Sequence, residues 1–70
     1  MLLALRKLAN LRALRERCLM TQEELASKAG VSPTTIVQIE AGRVEPRFAT
    51  IKKLAKALGV KPGELLGPVT

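Results

Sequence analysis

The chain has 70 residues, and its 12 Lys and Arg against 6 Asp and Glu give a formal charge of +6. That length supports one small domain with a modest core. With Phe48 as the only aromatic residue, the core must be Leu, Ile, Val and Ala, which suits a compact all-helical bundle. With no histidine and one cysteine, Cys18, an internal disulfide, a zinc site and His-based catalysis are excluded, and no nucleophile–base set, catalytic carboxylate pair or phosphate loop can be assembled.

Residues from about Leu2 to Cys18 read as one helix. Leu8, Leu11 and Leu14 recur at three-residue steps and are expected inside. Leu2, Leu3 and Leu5 have no obvious core to enter, so residues 1–7 are expected to form a helical extension open to a partner. MLLAL is too short for a signal core and is interrupted by Arg6 and Lys7, and no apolar run approaches a membrane span. A cytoplasmic protein with no membrane contact is expected. Cys18 is expected to be a half-buried or exposed bystander. Met20 follows as an apolar position under the next helix.

Thr21 opens the second helix with a capping-box pattern, since Glu24 stands three residues on. Leu25, Ala26 and Ala29 share one apolar face. Gly30 can take the left-handed conformation that ends a helix. Ser32 caps again, and Pro33 falls at the first position of the third helix, where its missing N–H costs nothing. Ile36 and Ile39 give that helix its buried side, and Gly42 ends it. The small side chain of Ala26 lets the two helices cross closely, and Ile36 fills the angle between them.

The loop RVEPRF brings Arg43 and Arg47, with Pro46 as a rigid bend. Phe48 starts the next apolar pattern, continued by Ile51, Leu54, Ala55 and Leu58, with Lys52, Lys53 and Lys56 facing water. Gly59 stops this fourth helix. Pro62 opens a last short one, Glu64 sits in its first turn, and Leu65 and Leu66 close it. Residues 67–70 are expected to be a loose tail.

The stretch from Thr21 to Gly42 resembles the helix-turn-helix of the lambda-repressor/Cro-type (XRE) family of DNA-binding proteins. The matching residues are Thr21, Gln22, Leu25, Ala26, Gly30, Val31, Ser32, Ile36, Ile39, Glu40 and Gly42, and the likeness runs from about Leu8 to Leu66. It implies a single all-α, five-helix lambda-repressor-like DNA-binding domain with a core of about residues 8–66 and its helix-turn-helix in helices 2 and 3. It also implies an ion pair between Arg15 and Glu40 that orients the third helix, a phosphate contact from Arg15, and a phosphate-clamping Gln22. Leu19 departs from the family, which often has Gly there to end the first helix. Pro33 departs too, because relatives read a base from that place and Pro33 has no donor.

In such a domain the third helix enters the major groove. Its outward residues Thr34, Thr35 and Gln38 are expected at base edges, where Gln38 can pair with adenine. Ser32, Arg43 and Arg47 are expected at phosphates. The segment from 21 to 42 holds Lys28 against Glu23, Glu24 and Glu40, so the cations flank the reading element, and phosphate binding is expected from the flanks. The expected function is sequence-specific binding of double-stranded DNA as a small transcriptional regulator, a repressor, acting as a homodimer on a palindrome. No cofactor, metal or enzymatic activity is expected. The alternatives are an antitoxin-like autorepressor, with a protein partner on the Leu-rich N-terminus, and a protein-interaction module that does not read DNA.

Overall fold

The structure, a computed structural model, describes Leu8 and residues 10–66. The expected helical extension over 1–7 and the tail over 67–70 lie outside the described residues. Among those described there are five helices and no strand: α1 (Leu11–Arg17), α2 (Gln22–Ala29), α3 (Pro33–Glu40), α4 (Phe48–Leu58) and α5 (Pro62–Leu66).

The helix expected from Leu2 is shorter at its start. Leu8 is non-helical, Asn10 is a turn residue, and α1 begins at Leu11. The reason is a long-range tie. The Asn10 backbone N–H donates to Leu65 O (3.2 Å), and its side-chain Nδ2 donates to Glu64 O (2.8 Å). The group that would have continued the helical ladder instead pins this end of α1 to α5.

The core is built from aliphatic side chains of every helix. Leu11, Leu25, Ala26, Ile36, Leu54 and Leu65 are fully buried, and Leu8, Ile39, Ile51, Ala55, Ala57 and Leu58 join them. Helix α2 packs on both α3 and α4, while α5 rests on α4 and α1. Two apolar expectations fail. Phe48 is 67% exposed, and the residue that enters the interior at this corner is Pro46. Leu66 is also exposed, so Leu65 alone closes α5. On α4 the apolar pattern starts only at Ile51, because Phe48 sits in the first turn, one step after the N-cap Arg47.

Four chain reversals use one device. At the end of α2, Gly30 is left-handed (φ 75°), the Gly30 N–H donates to Ser27 O, and the Val31 N–H donates to Ala26 O. These two bonds satisfy carbonyls that the helix end leaves open. Gly42 and Gly59 end α3 and α4 in the same way. At the end of α1 the left-handed residue is Leu19 (φ 57°), the only non-glycine with positive φ among the described residues. Its N–H donates to Glu16 O and that of Met20 to Arg15 O, so the bond pattern is complete despite the side chain. Leu19 is 90% exposed, which gives its side chain room but leaves the backbone strain in place.

Candidate nucleic-acid interface

The angle between α2 and α3 depends on capping at both starts. Thr21 Oγ1 accepts from the Glu24 N–H (3.0 Å), and Glu24 Oε1 accepts from the Thr21 N–H (2.8 Å), completing a capping box. Ser32 Oγ accepts from the Thr35 N–H (3.2 Å), with Pro33 at the first helical position. Behind the turn, Ala26 and Ile36 are both wholly buried where the two helices meet.

A polar cluster then fixes α3 against α1. Arg15 Nε donates to Glu40 Oε2 (2.7 Å) and Nη2 to Glu40 Oε1 (3.1 Å), a two-pronged ion pair. Arg15 Nη1 donates to Met20 O (2.8 Å), and Gln22 Nε2 adds a bond to Glu40 Oε1 (2.9 Å). The side chains of Arg15 and Glu40 are only 11% and 6% exposed. The Glu40 hydrogen bond, aided by the charges of Glu40 and Glu16, raises the pKa of Arg15 against the effect of burial. Burial alone would raise the Glu40 carboxyl. Hydrogen bonds from Arg15 and Gln22, with the charges of Arg15 and Arg12, outweigh it and hold Glu40 below its ordinary value. Both groups therefore stay charged at neutral pH.

This cluster forms the floor of an open cleft of about 430 Å³, lined by Arg12, Arg15, Gln22, Val37, Glu40 and Ala41. Arg12 stands at its rim, paired with Glu16 (3.1 Å) but with its side chain 72% exposed.

Ile36 and Ile39 point α3 inward, so a helix of 3.6 residues per turn turns Thr34, Val37, Gln38 and Ala41 to the opposite side. Thr34, Val37 and Ala41 are exposed and Gln38 is half-buried. Thr35 lies on the flank. It is half-buried, and its hydroxyl is 3.2 Å from that of Ser32. Among the residues expected at DNA, Gln22 and Arg15 are thus drawn into the Glu40 cluster, with Arg15 keeping two N–H groups beyond its three bonds. Ser32 is exposed and caps α3. Arg43 is exposed and joined to α3 through its N–H, which donates to Gln38 O (3.0 Å). Arg47 is exposed and held instead by α4, whose Ile51 N–H donates to its carbonyl. Sequence reasoning passed over Arg12, Val37 and Ala41. For the last two, the angular position relative to Ile36 and Ile39 was signal enough.

Comparison with known proteins gives a consistent result. A helix-turn-helix family model matches residues 11–65. A helix-turn-helix-type transcriptional regulator of Methanocaldococcus jannaschii, itself uncharacterised, is 50% identical over 42 residues, covering 60% of this chain and 64% of that protein. The match therefore spans slightly less than two thirds of that relative's length. Among solved structures, the restriction-modification controller protein of Aeromonas hydrophila superposes with a TM-score of 0.80 at 34% identity, covering 86% of this chain and 92% of that one. The P22 c2 repressor, in complex with a synthetic operator, superposes with a TM-score of 0.78 at 32% identity, covering 87% and 94%.

Proposed function

The chain belongs to the helix-turn-helix family, and from that premise we propose that it binds double-stranded DNA sequence-specifically as a small transcriptional regulator, a repressor. Helix α3 enters the major groove with Thr34 and Gln38 toward base edges and Thr35 at the margin. Gln22, Ser32, Arg43 and Arg47 meet phosphates, and Arg15 adds a phosphate contact through its remaining N–H groups. The main part of Arg15 and Glu40 is to hold α3 at its angle.

Two subunits bind a palindrome with half-sites about 34 Å apart, since the few polar side chains on one α3 give limited selectivity. The protein works as a cytoplasmic, non-enzymatic DNA binder with a single DNA-binding domain whose core runs from about residue 8 to 66. A protein partner on the Leu-rich N-terminus would meet residues outside those described.

The observation that carries this reading is the outward edge of α3, where Thr34 is exposed and Gln38 half-buried while Ile36 and Ile39 on the opposite face are buried, one end is capped by Ser32 and the other is ion-paired through Glu40. It is tested by selecting sites from random duplexes and measuring affinity against salt. Two or three cations per subunit predict a dimer affinity that falls about 10²–10³-fold between 50 and 200 mM salt, on an enriched palindrome. Salt-insensitive binding, or no enriched site, would refute it and leave the protein-interaction module.

A further inference from the structure

Resting on the reading of α3 as the groove-facing helix, we propose that Val37 is a specificity-determining residue that reads the 5-methyl group of thymine. Val37 is 43% exposed on the outward side of α3. Its neighbours at four-residue spacing, Pro33 and Ala41, are exposed too, so one edge of α3 is apolar along its length. The parallel edge carries Thr34 and Gln38. Helix α3 thus presents a hydrogen-bonding row beside a row with nothing to donate or accept.

The base edges of the major groove offer one apolar complement to such a row, the C5 methyl of thymine. Val37 suits it sterically. Its branched side chain holds few rotamers, so two methyl groups stay at fixed positions. Its place in the cleft supports the same occupant. Val37 lines the cleft together with Gln22, assigned to a phosphate, and one residue further along α3 stands Gln38, assigned to a base. Three small or medium side chains are too few for a stable protein interface, which needs roughly 800 Å² from each partner, but they match one or two methyl groups. Pro33 therefore adds apolar surface where it cannot donate a hydrogen bond.

The test removes the methyl groups singly. In the duplex recovered by selection, each thymine of a half-site is replaced by deoxyuridine, and affinity is measured by fluorescence anisotropy for the wild type, Val37→Ala and Val37→Thr. Circular dichroism checks that each variant is folded. The wild type is expected to lose about fourfold at one or two thymines per half-site, the equivalent of one buried methyl group. Val37→Ala is expected to bring that loss below about 1.5-fold while binding the uracil duplex as the wild type does. Val37→Thr, which keeps one methyl and the shape, is expected to fall between. An unchanged uracil penalty in Val37→Ala, or no penalty at any thymine in the wild type, overturns the role of Val37 and leaves DNA binding standing. Absence of any enriched site for the wild type removes the premise, and the inference with it.

Discussion

Arg15 of α1 grips Glu40 at the end of α3 with two nitrogens, across 25 residues of sequence, while Gln22 at the start of α2 holds the same carboxylate. One side chain of α3 is thereby bonded to both preceding helices. Removing it leaves a nearly buried guanidinium with a single carbonyl partner. Glu40→Ala is expected to cost about 2–3 kcal/mol, below the range for wholly buried pairs because Arg15 keeps some contact with water. In a domain this small that is a large share of the margin. Urea denaturation at pH 7 measures it, and a loss under about 0.5 kcal/mol would reduce the pair to an ordinary surface contact.

The same carboxylate gives a pH dependence. Its native pKa lies below the ordinary value of 4.5, so the unfolded chain takes up the proton first as pH falls. The stability contributed by ionised Glu40 is complete above pH 4.5 and declines as pH drops through the native value. Arg15 shifts upward and contributes no loss in that range. As pH falls below 4.5, the wild type is expected to lose stability more steeply than Glu40→Gln. Parallel thermal-denaturation curves for the two would contradict this.

Leu19 holds a backbone conformation that glycine adopts at the ends of α2, α3 and α4. Leu19→Gly is expected to stabilise the protein by about 1 kcal/mol, with Tm rising by roughly 4–8 °C. The reciprocal change, Gly30→Ala, should destabilise by about 1 kcal/mol through strain alone, because a Cβ there meets nothing within 4 Å. Calorimetry on both variants separates backbone strain from packing. A lower Tm for Leu19→Gly would mean that the leucine side chain makes an unseen contribution.

Ala26 is wholly buried where α2 meets α3. Ala26→Leu is expected to cost about 1–3 kcal/mol by overpacking and to lower DNA affinity, since α3 must move away. Ala26→Gly is expected to cost about 1 kcal/mol through helix propensity and to leave the affinity of the folded protein unchanged. Equal affinity for both variants would show that the helix angle does not govern binding.

Gln38 and Arg43 are joined by a backbone bond that neither side chain contributes to, so their truncations report different things. Gln38→Ala is expected to relax preference at one base pair per half-site, by about 1–3 kcal/mol. Arg43→Ala is expected to weaken all sequences alike and to reduce the salt slope by about one per subunit. Uniform weakening by Gln38→Ala would count against its place at a base.

The helix-turn-helix was legible because its signals are local. Thr21 with Glu24, Gly30, and Ser32 with Pro33 each determine a few backbone angles through neighbours in sequence, and the structure carries them as read. What periodicity did not reveal depends on distant partners. The late start of α1 follows from Asn10 bonding across to α5. At the α3–α4 corner Phe48 fits a helical pattern as well as a core residue would, yet Pro46 enters the interior and Phe48 faces outward. The Arg15–Glu40 geometry was implied by family likeness alone, because nothing local links residues so far apart. Val37 is a different case: an apolar residue on an amphipathic helix fits the inner side by pattern, and this one stands outside.

The bonds from Asn10 to Glu64 and Leu65 span 54 and 55 residues and bring the start of α1 and the end of α5 side by side. A fold in which the start of α1 touches the end of α5 can be spliced into a loop of a host protein without stretching either junction. The same closure means that fraying at the start of α1 releases the end of α5, so the clasp at Asn10 should be the earliest place where amide hydrogens of the two helices exchange together.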